Sequence, residues 1–281
     1  MITTITVNYR TKAYVEKMLE SMFLHHDHDR IEVFVVDNGS RDDLREMQEQ
    51  FPQVHFIFSE TNRGFAGGNN LAIERATGDY IALVNPDVIF DSPALHQIED
   101  CMRHDTDVGI GGVSLRNLDG TQQACVWRFP TPTDQLMLLL KIPHILGTVG
   151  PVRKWLMKDF DYAQDSYVDQ VMGAFFVIRS QVLNDIGPLD DGFFMWYEEV
   201  DFARRAKDAG WPTKYYADIR VRHKKGSSFE NVATIKKQAM IRRSLRRYMR
   251  KHYGTVGWLL FTVPEPVFFL FALGASIVKP K

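Results

Sequence analysis

The chain has 281 residues, of which 45% are hydrophobic and 25% are charged, and its formal net charge is −1. This composition is typical of a globular protein with one large α/β domain and an appendage. It excludes a disordered chain, a collagen-like repeat and a small disulfide scaffold. The two cysteines, Cys101 and Cys125, form neither a C-x-x-C pair nor a cluster with histidine. A zinc ribbon is therefore not expected, whereas a reducing compartment is.

The charges are distributed unevenly along the chain. Residues 220–254 hold 12 Lys/Arg and one acid, Glu230, which gives this segment a formal charge of +11 against −12 for the rest. A charge run is ordinarily a solvated helix face, but an asymmetry of this size indicates a segment that contacts an anionic partner. Because a strongly apolar sequence follows this segment, we favour contact with an anionic partner over a solvated helix face.

Strand and helix signals alternate in the first third of the chain. Strands are predicted at Ile2–Val7, Ile31–Val36, Val54–Phe58 and Tyr80–Val84. Helices are predicted at Ala13–Leu24, Asp42–Gln50 and Gly67–Ala76. This alternation predicts a parallel, doubly wound sheet with helices on its faces.

The middle of the chain is less regular. Val113–Leu118 and Thr121–Trp127 flank an Asp-Gly pair, which predicts a β-hairpin with a tight turn. Residues 130–165 are interpreted as an insert that covers the substrate. Further elements are predicted as a strand at Gln170–Arg179, a helix at Val200–Ala209 and a strand at Ile219–Val221.

The C-terminal region differs in character. A basic amphipathic helix is predicted at Val232–Tyr253, and an apolar run, Val256–Val278, follows it. The run has the length of a membrane span, but Pro264-Glu265-Pro266 interrupts its centre, and a charge between two prolines is costly at the bilayer midplane. We therefore predict two short apolar pieces that lie in a membrane interface. Docking on the core or on a second subunit of a homodimer is the alternative.

Polar residues follow each of the four predicted strands of the first third. These residues are Asn8–Arg10, Asp37–Asp43, Glu60–Gly64 and Asn85–Asp87. Any one of these stretches alone would be explained as a turn. Because open α/β sheets bind ligands at the carboxyl ends of their strands, four such stretches together predict a binding site at one edge of the sheet.

Each polar stretch suggests a chemical role. Asp37 is a short acceptor suited to a base or ribose, and Arg63 with the glycine-rich turn after it suits a phosphate. The turn is not G-x-G-x-x-G, which disfavours a dinucleotide site. Asp87, held by Pro86 at a strand end, could cap a helix, but beside a phosphate site it is a candidate ligand for a divalent metal.

A second group of candidate residues lies later in the chain. Glu198, Glu199 and Asp201 open a predicted helix, where acids also favour the helix dipole. Crowded carboxyls beside aromatic residues should raise the pKa of one of them, which suits a general base. His223 follows a predicted strand and, although a lone histidine is usually structural, it is a candidate metal ligand beside such a site.

Several of these motifs occur in an order that resembles a known family. The motifs are Val7–Tyr9, Val36–Ser40, Asn62–Asn70, Ala76–Tyr80, Asn85–Asp87, Gly173-Ala174 and Glu198–Asp201. Together they resemble the family-2 inverting glycosyltransferases with the GT-A fold, especially the bacterial rhamnosyltransferase-like branch. The resemblance covers residues 1–228, but it does not clearly extend to residues 130–165 or to the apolar tail.

The resemblance implies a fold and a donor site. The fold would be a GT-A domain over residues 1–228, with a Rossmann-like, mostly parallel sheet, followed by a helical appendage over 229–281. The donor-binding residues would be Asn8, Tyr9, Asp37, Asn62, Arg63, Gly64, Asn85 and Asp87. Asp87 would occupy the position of the family's D-x-D metal aspartate, with Asn85 in place of the first acid. His223 would complete a site for Mg²⁺ or Mn²⁺.

The resemblance also implies a catalytic base and an acceptor site. The family's base is usually the Asp of a Glu-Asp pair, a position held here by Glu199, with Glu198 as the alternative. Trp196, Gly173 and Ala174 are expected to border the acceptor.

The expected reaction is the metal-dependent, inverting transfer of one sugar from a nucleoside-diphosphate donor, dTDP-rhamnose by resemblance. The acceptor would be a hydroxyl of a glycan or of a polyprenyl-diphosphate-linked glycan. Such a reaction fits surface-polysaccharide synthesis by a cytoplasmic protein bound peripherally to the inner membrane face. One alternative is a nucleotidyltransferase or another nucleotide-sugar enzyme. The other is a non-catalytic nucleic-acid-binding or scaffold protein, which the acidity of the body disfavours.

Overall fold

The computed structural model describes residues 1–143, 147–148, 150–224 and 234–270. The strands are β1 (Ile2–Asn8), β2 (Ile31–Asn38), β3 (Val54–Ser59), β4 (Tyr80–Val84), β5 (Val88–Ile89), β6 (Ile110–Arg116), β7 (Val126–Trp127), β8 (Ser166–Val168), β9 (Gln170–Val171), β10 (Phe175–Arg179) and β11 (Thr213–His223). The helices are α1 (Lys12–His25), α2 (Arg45–Gln50), α3 (Gly64–Ile73), α4 (Ala94–His104), α5 (Pro132–Leu139), α6 (Gly150–Trp155), α7 (Ser180–Ile186), α8 (Glu198–Asp208) and α9 (Thr234–Thr262). All four strands and all three helices expected in the first third are present, although α2 is shorter than predicted.

The central sheet has the strand order β3-β2-β1-β4-β10-β6-β11-β5. Strand β8 also pairs with β11, on the same edge as β5 but at the start of β11. The first four strands of the sheet are parallel, so that Asn8 pairs with Asp37 where β1 and β2 end. The expectation of a mostly parallel sheet is confirmed, because β6 and β11 run in the same direction as the first four strands, and only β10, β5 and β8 run the other way. Phe175 at the start of β10 pairs with Val84 at the end of β4, so β10 runs away from the edge at which the parallel strands finish.

The hairpin predicted around the Asp-Gly pair is only partly present. The turn forms, with the Asn117 N–H donating to the Thr121 carbonyl oxygen at 2.8 Å, but β7 pairs with β9 and not with β6. In the sheet, β6 pairs with β11 on one edge and with β10 at Ile110 and Gly111 on the other. Beyond the turn only Gln122 and Gln123 bond back to β6, through a bridge between Gln122 and Arg116 and a hydrogen bond of 2.9 Å from the Gln123 N–H to the Leu115 carbonyl oxygen. The strand expected at Gln170–Arg179 is likewise divided into β9 and β10.

The core is built on the faces of this sheet. Helix α1 buries Val15, Met18, Leu19 and Met22, at the helical spacing that predicted it. Helix α3 begins at Gly64 and not at Gly67, because Asn62 accepts a hydrogen bond of 2.8 Å from the Gly64 N–H and so caps the first turn. The carboxyl ends of β1, β2 and β4 therefore face the amino end of α3.

The C-terminal segment is helical and is attached to the body. Helix α9 changes direction at Gly254 (φ +65°), and residues 265–270 are helical again after a break at the predicted Pro264 interruption. On the body side, Tyr248, Phe261 and Phe268 are buried. No helix among the described residues has the length and apolar content needed to span a bilayer. The predicted domain boundary at 228/229 lies outside the described residues, as do residues 271–278 of the apolar run.

Candidate active site

A cavity of about 230 Å³ opens where β1, β2 and β4 end. The polar part of its lining consists of Tyr9, Asn38, Asn62 and Asn85, with the backbone of Gly64. An apolar wall consists of Phe194, Met195 and Met240. The four polar stretches predicted to meet are thus represented at one cavity, together with side chains from the loop before α8 and from α9.

The ends of β1 and β2 are joined by a buried hydrogen-bond network. The Asn8 amide donates to Asp37 Oδ1 at 3.0 Å and to Ser40 Oγ at 3.1 Å, and the Ser40 hydroxyl also donates to Asp37. Asp37 and Asn8 are both buried, and neither lines the cavity, whereas their chain neighbours Asn38 and Tyr9 do. This network holds the Asp37 carboxylate in one orientation at the end of β2.

Asn38 holds the loop between β3 and α3 in place. This loop, residues 60–63, contains predicted donor residues and is named the donor loop, and the sequence did not indicate that Asn38 would contact it. The Asn38 side chain accepts a hydrogen bond from the Arg63 N–H at 2.9 Å and donates to the Gly64 carbonyl oxygen at 2.9 Å. Its amide also donates to Asn62 Oδ1 at 3.1 Å. Asn38 lies within a motif already recognised, so its position next to Asp37 was the available signal.

Gly64 brings the donor loop against the loop that precedes α8. Its φ of +74° is a left-handed conformation, and a Cβ atom at this position would overlap the backbone of Phe194. The next residue, Phe65, donates its N–H to the Phe194 carbonyl oxygen at 2.9 Å. The close approach therefore requires glycine.

Four of the eight predicted donor residues line the cavity, namely Tyr9, Asn62, Gly64 and Asn85, whereas Asn8, Asp37, Arg63 and Asp87 do not. The Arg63 side chain lines a neighbouring cleft together with Asn70, Glu74 and Asp191. Spacing alone did not reveal this, because the direction of the Arg63 side chain depends on where α3 begins.

Asp87 and His223 form a buried pair at the ends of β4 and β11. Asp87 Oδ1 lies 3.3 Å from His223 Nε2, and both residues are buried. The Lys224 N–H donates to the Asp87 carbonyl oxygen at 3.0 Å, which ties the two chain segments together. On its other side, His223 Nδ1 lies 2.9 Å from Gln123 Oε1, a contact that the sequence analysis missed.

This pair is a chemically suitable but incomplete donor set for a divalent cation. A carboxylate oxygen and an imidazole nitrogen both occur as ligands of Mn²⁺, and Mg²⁺ in phosphate-handling sites commonly has one or two protein carboxylates. Within the described ranges, no cluster of three or more His, Cys, Asp or Glu side chains is placed to hold a metal. Water or the phosphates of a substrate could supply further ligands.

The acid pair at the start of α8 follows a strained turn. Trp196 (φ +65°) and Tyr197 (φ +72°) are consecutive non-glycine residues in the left-handed region, a combination that costs free energy and is found at functional sites. Glu198 and Glu199 then begin the helix. Burial raises the pKa of both carboxyls, and the Glu199 charge raises that of Glu198 further.

The two adjacent buried carboxyls influence each other's ionisation. One of them loses its proton first, and its negative charge then holds the proton on the other to a higher pH.

Gly173 and Ala174 connect the acid pair to the Asp87 corner. Gly173 lies against Glu199, because a Cβ built on it would be 3.5 Å from Glu199 Cγ. The Ala174 carbonyl oxygen accepts a hydrogen bond of 2.9 Å from the Asn85 N–H. The two predicted acceptor residues thus lie between the predicted base and the predicted metal ligand.

The segment interpreted as an insert contributes a contact to the acid turn. Helix α5 is capped by Thr131 and Asp134 in a reciprocal capping box, and its Gln135 accepts a hydrogen bond of 3.0 Å from the Tyr197 hydroxyl. This contact was not predicted, because residues 130–165 carry no motif. It makes α5 part of the support of the turn that presents Glu198 and Glu199.

Part of the basic segment is neutralised by acids within the chain. Arg247 and Lys251 contact Asp190 at 2.6 and 2.9 Å, and Lys251 also contacts Asp201 at 2.8 Å. Arg246 contacts Glu265 at 2.6 Å. Arg247 and Lys251 therefore attach α9 to the acidic body, and part of the positive charge of the segment is balanced within the chain.

The structure is similar to solved glycosyltransferases. It superposes on "Mannosyltransferase PcManGT from Pyrobaculum calidifontis in complex with GDP-Man and Mn2+" with a TM-score of 0.58 and 16% sequence identity, covering 100% of this chain and 76% of that one. The likeness at this identity concerns the fold, and it confirms the GT-A architecture.

Curated relatives are similar in sequence over most of the chain. The low-salt glycan biosynthesis hexosyltransferase Agl10 of Haloferax volcanii is 26% identical over 210 residues, which is 73% of this chain and 61% of the relative. The N-acetylglucosaminyl-diphospho-decaprenol L-rhamnosyltransferase of Mycobacterium tuberculosis is 24% identical over 247 residues, 81% of this chain and 77% of the relative. The second similarity supports the rhamnosyltransferase-like branch that the motifs indicated.

The model of the family named "Glycosyl transferase family 2" matches residues 3–161. The match contains all four polar stretches that are represented at the cavity, and it includes Asp37 and Asp87. Because it extends over more than half of the sequence, the chain belongs to glycosyl transferase family 2.

Proposed function

We propose that this protein transfers one sugar, with inversion at the anomeric carbon, from a nucleoside-diphosphate donor to an acceptor hydroxyl. The observation that carries the proposal is the arrangement of three groups around one end of the sheet. They are the cavity beside Asp37, the Asp87–His223 pair, and the buried acids Glu198 and Glu199, which Gly173 and Ala174 connect to the pair. A cavity for the nucleotide, a metal corner and a base are what this reaction requires.

The donor is assigned to the cavity. Asp37, oriented by Asn8 and Ser40, would accept hydrogen bonds from the base, and Tyr9 lies at the cavity wall next to it. Asn62 and Gly64 would contact the nucleoside with side-chain and backbone polar groups. Arg63 would reach the donor only by a change of side-chain direction, since it now lines the adjacent cleft.

Asp87 and His223 would hold a divalent cation, Mg²⁺ or Mn²⁺, with the donor diphosphate. When bound, such a cation neutralises the charge that develops on the leaving nucleoside diphosphate. Asn85 in place of a first acid leaves one carboxylate at this motif, so the imidazole of His223 becomes the second protein ligand. The pair is buried, which keeps both groups in place before the donor binds.

Glu199 is the proposed general base. It would accept the acceptor proton as the hydroxyl oxygen attacks the anomeric carbon and the bond to the diphosphate breaks. Glu198 stays protonated beside it, which avoids two adjacent negative charges in a buried site. Trp196, with the backbone of Gly173 and Ala174, would border the acceptor.

The proposed acceptor is a glycan on a polyprenyl diphosphate at the inner membrane face. Support comes from an exposed apolar stripe at the C-terminus, formed by Val256, Leu259, Leu260, Val263, Val267 and Leu270. Along the two helical pieces and the break at residues 263–264 between them, these positions recur every one to four residues and are exposed, while Phe261 and Phe268 are buried. Arg250, which lies 5.7 Å from the Trp258 ring, adds an exposed cation and an interfacial aromatic residue. A relative is named for a decaprenol-linked substrate, and dTDP-rhamnose is the proposed donor on the same basis.

A donor screen with the purified protein tests the proposal. Each nucleotide sugar is incubated with a polyprenyl-diphosphate-linked GlcNAc analogue and Mn²⁺ or Mg²⁺. We expect release of dTDP from dTDP-rhamnose and a β-configured product from an α-configured donor, or the converse. Release of pyrophosphate would instead indicate a nucleotidyltransferase, and retention of configuration would refute inversion.

A further inference from the structure

We propose that Gln123 is a positioning residue that fixes the ring tautomer of His223, so that Nε2 presents its lone pair toward Asp87 and a bound cation. The proposal deepens the metal role put forward above and rests on it. Gln123 lies in the segment after the Asn117–Thr121 turn, which the proposed reaction does not otherwise use. Its side chain is buried and contacts both the His223 ring and the His223 backbone.

Two acceptors determine which way the Gln123 amide points. Its Nε2 group donates to the His223 carbonyl oxygen at 2.9 Å and to Asn117 Oδ1 at 2.8 Å. A backbone carbonyl can only accept, so the amide nitrogen must face it. The amide oxygen, Oε1, is then the atom that lies 2.9 Å from His223 Nδ1.

The orientation of Asn117 is fixed in turn by an acid at the surface. The Thr121 hydroxyl donates to Asp119 Oδ1 at 2.6 Å, so its oxygen is free to accept from the Asn117 amide at 2.8 Å. This hydrogen bond from Thr121 lowers the pKa of Asp119, whose carboxylate is therefore an obligatory acceptor. In this series of hydrogen bonds each group donates to the next one. The series begins at His223 and passes through Gln123, Asn117 and Thr121 to Asp119.

The consequence for His223 is a defined tautomer. Because Gln123 Oε1 can only accept, Nδ1 of the ring must carry the hydrogen. A neutral ring with hydrogen on Nδ1 has its lone pair on Nε2, the nitrogen 3.3 Å from Asp87 Oδ1. Two electron-pair donors that face each other at this distance suit a cation, and second-sphere hydrogen bonds of this kind orient metal-bound histidines.

The ring tautomer can be read in the metal-free full-length protein by ¹⁵N NMR of labelled histidine at about pH 9, where free histidine is neutral. The His223 signals are assigned with His223→Ala. In the wild type we expect protonated Nδ1 and bare Nε2. In Gln123→Leu we expect a shift toward protonated Nε2, which is the form that free histidine prefers in water.

Gln122→Leu is the matched control. Gln122 is adjacent, and its side chain bonds Ser114 and the Leu115 carbonyl oxygen but not His223. Loss of Gln122 thus perturbs the same segment without touching the ring. A tautomer that is unchanged in Gln123→Leu, or one that shifts equally in Gln122→Leu, would overturn the proposal.

Titration with Mn²⁺ alone, followed by electron paramagnetic resonance, provides the second measurement. Affinity should fall about 10- to 100-fold in Gln123→Leu and remain at the wild-type value in Gln122→Leu. Equal affinities in the wild type and Gln123→Leu would count against the positioning role. A wild-type protein without affinity for Mn²⁺ would refute the metal part of the proposed function, whereas the tautomer measurement would still decide whether Gln123 orients the ring.

Discussion

Ser244 in α9 donates a hydrogen bond of 2.8 Å to the carbonyl oxygen of Met195, the residue just before the strained Trp196-Tyr197 turn. The ring of Tyr248, one turn further along α9, lies 5.6 Å from the ring of Tyr197. A helix that the sequence separates as an appendage is therefore attached to the turn that presents the two buried acids. Changes in α9 should reach the active site through this contact.

Replacement of Asp87 tests the metal corner. Asp87→Ala should lower metal-dependent turnover by about 100-fold or more, because loss of an outer-sphere partner alone costs about 10- to 100-fold at metal sites. Turnover is measured as nucleoside diphosphate released at saturating Mn²⁺. Asp91→Ala is the control, since Asp91 is exposed and pairs with Arg222. Activity of Asp87→Ala equal to that of the control would remove Asp87 from the metal site.

The choice between the two glutamates is tested by amide substitutions. Glu199→Gln should lower kcat by about 10²- to 10⁴-fold, the usual contribution of a general base. Donor affinity, measured by calorimetry, should be preserved, because the amide keeps the shape of the side chain. If Glu198→Gln shows the larger loss of kcat, the base is Glu198.

The pH dependence of kcat/KM provides an independent test of the base. Burial raises the pKa of Glu199 above its ordinary value of 4.5, so the acid limb of the profile should lie above pH 4.5. Activity should rise with pH through this limb, as the base loses its proton. The limb should be absent from the residual activity of Glu199→Gln, and its persistence there would assign it to another group.

Glu198 should reduce stability at neutral pH. Its folded pKa lies well above the ordinary value of 4.5, so its stabilising contribution is complete below pH 4.5 and is lost as pH rises through the folded pKa. Gln has no proton to lose, so Glu198→Gln should gain in thermal stability as pH rises. The gain is about 1.4 kcal/mol for each unit of pKa shift. Melting curves at about pH 4 and pH 8 measure it, and a variant less stable than wild type at the higher pH would contradict the burial cost.

The edge of the sheet that holds the site was predictable, because parallel strands place their carboxyl ends together. The pairing of Asn8 with Asp37 follows from two strand predictions without long-range information. The Asp-Gly turn was also predictable, but the hairpin was not, because strand pairing depends on which sheet edges are free. Beyond Gln123 the chain leaves β6, and Val126 and Trp127 pair instead with β9, which lies more than 40 positions later in the sequence.

Contacts between distant segments account for most of what the sequence did not reveal. Gln123 and Gln135 lie in stretches without a recognisable motif, and their importance comes from which side chains they meet, His223 and Tyr197. The charge of the basic segment predicted an anionic partner, and some of its side chains contact Asp190 and Asp201 of the same chain. Net charge identifies complementary groups without locating them.

Charge substitutions in the apolar stripe test membrane binding. Val263 and Leu270 are 72% and 64% exposed, so Val263→Asp with Leu270→Asp should leave the fold intact. The double variant should no longer sediment with anionic phospholipid vesicles, because each charge is costly in the interface. Leu24→Asp is the control, since Leu24 is 78% exposed on α1, away from the stripe. A double variant that still sediments would refute the membrane role, and a loss of dimer in gel filtration would assign the stripe to a second subunit.

Asp201 should be the main attachment point of α9. Its fully buried carboxylate accepts hydrogen bonds from Arg205 at 2.9 Å, Lys251 at 2.8 Å and His252 at 2.8 Å. Burial alone would raise the pKa of Asp201, but these three partners lower it below its ordinary value of 3.8. Asp201→Asn should destabilise the protein by about 3–5 kcal/mol, because the largely buried Arg205 guanidinium loses its counter-charge.

Asp208→Asn is the matched control for this substitution. Asp208 lies in the same helix, is 59% exposed and pairs only with Arg204 among the described residues, so its loss should lower the free energy of unfolding only slightly.

The stabilising effect of the Asp201 carboxylate is present above pH 3.8 and is lost as pH falls through the lowered pKa. The difference in free energy of unfolding between wild type and Asp201→Asn should therefore become smaller in acid. Because α9 also supports Met195, kcat should fall with stability in Asp201→Asn and not in Asp208→Asn. Denaturant unfolding and kcat measured on the same samples decide the matter, and equal stabilities of the two variants would show that α9 is held by its apolar contacts and not by Asp201.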